Sequence, residues 1–148
     1  MPHFPELNLP PVQLKIENNK VFDIFRNKWV ELTPEEWVRQ NFLNFLVQVH
    51  HYPKGLMSVE KQIQLHKVKK RYDAVVFNKE MNPVVLIEFK SFRVPISQET
   101  VDQAIRYNQQ FGVDYLILSN GFNHFIIHID YNNNTCSYLQ NVNQMKIN

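Results

Sequence analysis

Two charged residues, Glu88 and Lys90, interrupt the apolar segment VVLIEFKSF at residues 84–92. Such an apolar run is typical of a strand that is buried on both faces of a sheet. A charge buried there without a partner destabilises the fold by several kcal/mol or so, and the group commonly becomes neutral instead. We therefore expect both charges to be compensated by a metal ion, by each other or by an acidic ligand.

A third chemically capable residue, Asp73, lies in the preceding apolar run, RYDAVVF. Side chains alternate along a strand, so Glu88 and Lys90 point to the same face. A hairpin that pairs residues 71–78 with residues 83–90 through a four-residue loop places Asp73 directly opposite Glu88. Opposed Cβ atoms are about 4.5–5.5 Å apart. Two carboxylates at that distance repel each other unless they share a proton or a cation lies between them.

These three residues suit the hydrolysis of a phosphodiester. Mg²⁺, or Mn²⁺ in its place, binds carboxylate oxygens and keeps water ligands, so Asp73 and Glu88 are candidate metal ligands. A bound metal acidifies water and neutralises phosphoryl oxygens, and the Lys90 ammonium can orient that water or stabilise the developing charge. The alternative is that Asp73 pairs with Arg71, and Glu88 with Lys90, as ordinary ion pairs on the surface of a sheet.

The densest basic run of the chain leads directly to Asp73. Its cations are Lys67, Lys69, Lys70 and Arg71, all within five positions. A cationic edge beside catalytic strands attracts a phosphate backbone, so we predict that these four residues bind nucleic acid. The alternative is a solvated hairpin loop, because the net charge of +2 is too small to indicate a polyanionic partner by itself.

Two helices are predicted to position these strands. Thr33 can cap the first, Pro34 suits its first turn and Glu36 completes a capping box. This helix should end near residues 50–51, because Pro53 cannot continue it. A second helix is predicted from Ser97 through Phe111, with Gly112 in the left-handed position that ends many helices.

Alternating or apolar runs between turn residues predict the strands. They are residues 12–17, 21–25, 29–32, 57–65, 71–77, 83–92, 114–119, 122–130 and an edge strand at 135–140. The order of strands and helices predicts an α/β (α+β) fold in which a mixed central β-sheet is flanked by two helices. The first three strands form an N-terminal β-meander.

Length and composition indicate one compact unit of 148 residues. Within it we distinguish an extension and meander, residues 1–31, from a main domain, residues 32–148. Cys136 is the single cysteine, so no internal disulfide can form. The N terminus lacks the features of a secretion signal, and no apolar run reaches the roughly 20 residues that span a bilayer. We expect a soluble cytoplasmic protein that does not bind membranes.

Three segments, RYDAVVF, VVLIEFK and DQAIRY, follow one another in the order of the PD-(D/E)XK nuclease core. Together with LTPEEWVRQNF and LILSNG, they resemble the N-terminal nuclease domain of type I restriction enzyme R (HsdR-type) subunits over residues 32–130. The resemblance implies a restriction-endonuclease-like fold and a metal-dependent deoxyribonuclease, with Asp73 and Glu88 binding metal and Lys90 acting in catalysis. It also implies DNA and other restriction-system subunits as partners.

The same resemblance adds candidate residues to the site. DQAIRY matches the Q-x-x-x-Y motif of that group, which implies roles for Gln103 and Tyr107, neighbours on one helix face. The alternative for this pair is a polar helix face exposed to water. An acidic residue is favoured at Glu60, which could join the metal shell or form a solvent-facing Glu–Lys pair. Glu36 could supply a helix carboxylate, although its capping-box role already explains it.

The sequence departs from these R subunits in one respect. They continue into an ATP-driven motor, whereas these 148 residues contain no G-x-x-x-x-G-K-[ST] phosphate loop. We therefore expect no ATP use from these residues, as in an excised domain or a small stand-alone relative. Two other functions stay open: a catalytically silent nucleic-acid-binding module, and a protein-interaction subunit of a restriction or repair complex. Cleavage of both strands would suit a homodimer.

Overall fold

The computed structural model describes residues 3–147, which form two sheets, two α-helices and short 3-10 turns. The strands are β1 (Ile16–Glu17), β2 (Lys20–Asp23), β3 (Lys28–Glu31), β4 (Met57–Leu65), β5 (Val68–Phe77), β6 (Pro83–Phe89), β7 (Tyr115–Ser119), β8 (His124–Asp130) and β9 (Thr135–Leu139). The helices are α1 (Pro34–Gln48) and α2 (Gln98–Asn108).

The larger sheet has the strand order β4-β5-β6-β7-β8-β9, and β1-β2-β3 form a separate meander. Within residues 3–147, β6 and β7 are the one parallel pair of the larger sheet, and its other pairs are antiparallel. A parallel pair needs a crossover connection, and α2 lies in that connection. The mixed sheet, the two helices and the meander confirm the predicted fold class.

The two helices cover opposite faces of the larger sheet. Leu43 of α1 belongs to the same buried cluster as Ile87 of β6, whereas Val101 of α2 belongs to the cluster that contains Leu86. Neighbouring residues of β6 therefore face two different cores, as the alternation of a strand requires. This confirms that β6 is buried on both faces. Neither helix of the described part of the chain is long and apolar enough to cross a membrane.

The start of α1 confirms the predicted cap but not the capping box. The Thr33 hydroxyl accepts a hydrogen bond of 3.1 Å from the backbone N–H of Glu36. The Thr33 N–H, however, donates to the carbonyl of Glu31. The Glu36 carboxylate instead accepts hydrogen bonds from Arg26 and Arg39. The prediction that Glu36 caps its own helix was wrong, because the guanidinium groups of Arg26 and Arg39 compete for its oxygens.

Helix α2 begins where the sequence indicates, with the Ser97 hydroxyl accepting from the N–H of Thr100. Its last turn tightens into a 3-10 turn at Gln109–Phe111, so the α-helix ends at Asn108 rather than Phe111. Gly112 has φ +67°, which confirms the left-handed position predicted for it.

The meander is shorter than predicted and is connected to α1 by polar contacts. Its first strand is limited to Ile16–Glu17, although Asn18 and Asn19 form the predicted turn with positive φ values. Asp23, which is fully buried, accepts hydrogen bonds from the backbone N–H of Phe25 and from the side chain of Gln40 in α1. A buried carboxylate thus links the meander to the helix that packs on the main sheet.

The two strands that carry the candidate site residues differ from the prediction in where β5 begins and where β6 ends. β5 begins at Val68 rather than at residue 71, so most of the basic run lies within a strand and only a tight turn joins β4 to β5. β6 ends at Phe89 rather than at Phe92, so Lys90 lies directly after the strand. The Lys90 N–H nevertheless donates to the carbonyl of Ser119 at 2.9 Å, which continues the contact with β7.

Candidate active site

The register of the β5–β6 hairpin agrees with the sequence prediction up to the acidic residues. The pairs Ala74–Ile87, Val75–Leu86 and Val76–Val85 have the expected offset, and a bulge follows between Val76 and Phe77. The ladder ends at Ala74–Ile87, one pair before Asp73 and Glu88. The two acidic residues therefore lie at the point where the strands stop pairing.

The Asp73 carboxylate lies where the β5–β6 ladder ends and accepts hydrogen bonds from two donors. Its Oδ2 accepts a hydrogen bond of 2.6 Å from the backbone N–H of Phe89 in β6. Its Oδ1 accepts one of 3.1 Å from Nη2 of Arg39 in α1. A side chain of β5 therefore bonds to the backbone of β6 beside Glu88, and it is fixed from the opposite side by a helix.

Glu88 faces the other helix and forms an ion pair with Lys70 through Oε1. The Lys70 ammonium also lies 5.0 Å from the ring centre of Tyr72 and 5.7 Å from that of Tyr107, within the range of cation–π attraction. Glu88, Lys70 and Tyr107 line an open cleft, and Gln103 lines it as well. The remaining residues of this cleft are Thr100, Ala104 and Asn108.

The cleft joins three sequence-predicted residues, Glu88, Gln103 and Tyr107, and it adds Lys70. Lys70 was predicted only as part of the basic run. Its position follows from the alternation of β5, in which Lys70 and Tyr72 share a face, and from the hydrogen bond of Tyr72 to Asn108 of α2. Burial raises the pKa of Tyr72, and the negative charge of Glu88 raises it further, so its hydroxyl stays protonated.

Lys90 is exposed just beyond β6. Neither ion pair of the alternative interpretation forms, because Glu88 pairs with Lys70 and Asp73 pairs with Arg39. Arg71 is bonded to Glu60. No acidic side chain in residues 3–147 forms an ion pair with Lys90. Its ammonium is therefore available to a ligand near β5 and β6, the strands that carry Asp73 and Glu88.

Glu60 lies among guanidinium groups. Its carboxylate is 3.1 Å from Arg71, 3.5 Å from Arg26 and 3.9 Å from Arg39. Its backbone has φ +55°, an unusual conformation for a residue with a side chain, at the position that would pair with Asp73. In the structure the Glu60 side chain belongs to an arginine-rich cluster rather than to a Glu–Lys pair, and its role in a metal shell stays a prediction.

This cluster also holds Arg39 in place. Nη1 of Arg39 is 2.6 Å from the Glu36 carboxylate. The Arg26 guanidinium lies between two carboxylates, 2.7 Å from that of Glu36 and 2.6 Å from that of Asp23. Burial alone would raise the pKa of Asp23, but hydrogen bonds and charge from Arg26 lower it below its usual value. Two of these contacts join residues three apart, Arg39 with Glu36 and Arg26 with Asp23, and that spacing is a signal the sequence analysis did not use. The contact of Arg39 with Asp73 joins α1 to β5, 34 positions apart, and has no such local signal.

The donor chemistry of Asp73 and Glu88 fits a hard divalent cation. Both side chains are partly exposed, at 30% and 24%, and Mg²⁺ is commonly held by one or two carboxylates with waters completing its shell. Within residues 3–147, no group of three or more His, Cys, Asp and Glu side chains is arranged to hold a metal ion. A cation bound here would compete with Lys70 for Glu88 and with Arg39 for Asp73.

The structure separates the four predicted nucleic-acid-binding residues. Lys67 lies in the turn between β4 and β5, and Lys69 and Arg71 are exposed on one face of β5. Lys70 points to the opposite face, toward Glu88. The basic run therefore supplies one cation to the cleft and three to the outer surface.

Comparisons with known proteins place this arrangement in context. Residues 34–142 match the family model described as the type I restriction enzyme R protein N terminus. Among solved structures, the chain is similar to a fragment described as an HsdR subunit of a type I restriction enzyme from Vibrio vulnificus, with 19% identity and a TM-score of 0.38. The similarity covers 58% of this chain and 18% of that one. No curated protein matches the chain.

Proposed function

The chain belongs to the family of type I restriction enzyme R protein N termini, and we propose that it is a Mg²⁺-dependent nuclease module that hydrolyses phosphodiester bonds of DNA. The observation that carries this proposal is the position of Asp73 and Glu88 directly after the last pair of the β5–β6 ladder. Both carboxylates are partly exposed, and Lys90 directly follows β6 two residues after Glu88. This combination suits the binding and attack of a phosphate.

Each residue has a separate task in this proposal. Asp73 and Glu88 hold the cation, which neutralises charge on the phosphate and acidifies the attacking water. Glu88 also accepts a hydrogen bond from that water. Lys90 orients the water or stabilises the charge that develops on the phosphate. Arg39 keeps the Asp73 carboxylate turned toward β6 through its 3.1 Å hydrogen bond.

The cleft beside Glu88 would bind the phosphate backbone. Lys70 offers a positive charge, and Gln103 and Tyr107 offer an amide and a hydroxyl as hydrogen-bond donors. A phosphate that enters the cleft attracts Lys70 away from Glu88, which leaves the carboxylate free for the cation. The outward Lys67, Lys69 and Arg71 would attract the DNA by charge. Other subunits of a restriction system are the proposed protein partners.

One observation favours a second function. In the structure both candidate metal ligands are already neutralised, Asp73 by Arg39 and Glu88 by Lys70. Ion pairs of this kind would also serve a catalytically silent module that binds DNA without cutting it. The two functions differ in whether a divalent metal produces cleavage.

A nuclease assay separates these functions. The chain is incubated with supercoiled plasmid and with single-stranded DNA in Mg²⁺, Mn²⁺, Ca²⁺ or EDTA, and Glu88→Gln serves as the matched variant. Cleavage that needs Mg²⁺ or Mn²⁺ and is lost in Glu88→Gln supports the nuclease. Salt-dependent DNA binding without cleavage in any metal supports the silent module. The absence of both activities contradicts each proposal and favours a protein-interaction subunit.

A further inference from the structure

The end of the β4–β5 hairpin extends past the rest of the six-stranded sheet. β5 pairs with β6 only from Ala74 onward, whereas residues 68–72 pair with residues 61–65 of β4 alone. We call residues 61–72 the basic ribbon. Its five opposed pairs span roughly 16 Å at about 3.3 Å per residue. A two-stranded ribbon therefore leaves the sheet next to the candidate active site.

The basic ribbon concentrates the positive charge of the protein. Its sequence, KQIQLHKVKKRY, contains five lysine and arginine residues and no acidic residue. The net charge of the whole chain is +2, so the rest of the chain carries a net charge of −3. A cationic ribbon on an otherwise acidic protein directs a polyanion to this one surface.

The two faces of the basic ribbon differ in their contacts. Gln62 is opposed to Arg71, and Gln64 to Lys69, so these four side chains share one face, and all four are exposed. On the opposite face, Tyr72 is buried against α2 and Lys70 bonds to Glu88. The inner face therefore anchors the ribbon to the cleft, and the outer face is open.

We propose that the outer face of the basic ribbon lies in the major groove of duplex DNA, with Gln62, Gln64, Lys69 and Arg71 directed at base edges. This inference rests on DNA as the substrate of the proposed function. The major groove is about 12 Å wide and ~8.5 Å deep, and it admits a two-stranded ribbon. Within it, glutamine can pair with adenine, and arginine or lysine with guanine.

The composition of the outer face favours the groove over the backbone alone. Lysine, arginine and glutamine side chains can all donate to phosphates, but a phosphate only accepts hydrogen bonds. The amide oxygens of Gln62 and Gln64 therefore find donors only at base edges, where an amide can donate and accept at once. Arg71 has a competing partner in Glu60, at 3.1 Å, but its side chain is 68% exposed. Exposed ion pairs contribute little in water, so Arg71 can exchange this contact for DNA.

The test measures binding in EDTA, so that its result does not depend on cleavage. Fluorescence anisotropy compares an unmodified duplex with the same duplex carrying glucosylated 5-hydroxymethylcytosine, whose sugar fills the major groove. We expect the modified duplex to bind roughly tenfold or more weakly, since the ribbon can no longer reach the base edges. A minor-groove ligand such as netropsin should leave the affinity unchanged. Equal affinity for both duplexes, competition by netropsin or no binding of the unmodified duplex overturns the proposal.

Variants connect the effect to the outer face. The double variant Gln62→Ala, Gln64→Ala and the single variant Lys69→Gln should reduce the difference in affinity between the two duplexes. Lys61→Gln is the matched control, because it removes the same charge from the same ribbon, but its residue is opposed to Tyr72 on the inner face. It should keep the full difference. If Lys61→Gln and Lys69→Gln change that difference equally, the ribbon binds DNA through its charge alone. The outer face then does not contact base edges in the major groove.

Discussion

Arg39 of α1 and Asp73 of β5 are joined by a hydrogen bond of 3.1 Å between Nη2 and Oδ1. The same guanidinium bonds to Glu36 at 2.6 Å through Nη1, and its Nε, which is buried, has no hydrogen-bond partner in residues 3–147. Because Asp73 also accepts from the Phe89 N–H, its carboxylate is fixed from two sides. The orientation of the candidate metal ligand therefore depends on a helix that contributes no ligand itself.

Replacing Arg39 with methionine should destabilise the fold and loosen Asp73. The Glu36 and Asp73 carboxylates would lose a shared cation, which we expect to lower the free energy of unfolding by about 2 kcal/mol or more. The loss stays below that of a fully buried pair because Asp73 is 30% exposed. Urea denaturation measures it, with the exposed Arg106→Met as control. A loss no larger than that of the control would show that the cluster does not support Asp73.

Asp73→Ala should remove a metal-dependent gain in thermal stability. A ligand that binds only the folded state raises the melting temperature, and Mg²⁺ or Mn²⁺ at about 100 times its Kd adds roughly 2.7 kcal/mol. Differential scanning calorimetry with and without metal measures this rise. Asp114→Ala, an exposed acidic residue outside the site, should keep it. If Asp73→Ala retains the rise, Asp73 is not a metal ligand.

His124 should make the stability depend on pH. Burial lowers its pKa below the ordinary 6.5, although its hydrogen bond to the Asn8 carbonyl opposes the shift. The Nε2 atom lies 2.8 Å from that carbonyl and Nδ1 lies 2.7 Å from the Ser119 hydroxyl, which suits a neutral ring. The unfolded chain therefore takes up a proton at higher pH than the folded chain.

The stabilisation by neutral His124 is complete above about pH 6.5 and is lost as the pH falls to the lowered folded-state pKa. His124→Gln, which can keep both hydrogen bonds and cannot titrate, should show a weaker fall in the free energy of unfolding over that range. Denaturation at several pH values measures the slope, with the exposed turn variant His66→Gln as control. Equal slopes in the parent and His124→Gln would exclude His124 as the source.

The sequence predicted the fold and the register of the β5–β6 hairpin because both follow from local patterns. Alternation and turn residues located β4 to β9, and the offset of the β5–β6 pairs followed from the loop between them. The capping role of Glu36 was wrong because Arg26, in the turn after β2, and Arg39, in the same helix, compete for its carboxylate. The contacts of Arg39 with Asp73 and of Lys70 with Glu88 could not be predicted from local sequence, because each joins two segments that are distant in the chain.

Lys90 is the residue on which the catalytic account depends most. Lys90→Met keeps the apolar stem and removes only the charge, and its position just outside β6 predicts that folding and DNA binding are retained. Loss of a group that stabilises the transition state commonly lowers a rate by about two orders of magnitude or more. Lys79→Met, an exposed lysine in the loop at the other end of the hairpin, is the matched control.

The most direct measurement is the rate at which supercoiled plasmid is nicked in Mg²⁺ by the parent chain, by Lys90→Met and by Lys79→Met. The proposed site predicts cleavage by the parent and by Lys79→Met, and a rate lower by roughly a hundredfold or more for Lys90→Met. A Lys90→Met variant that cleaves at the parental rate would contradict the role of Lys90. A parent chain that cleaves in neither Mg²⁺ nor Mn²⁺ would contradict the nuclease itself.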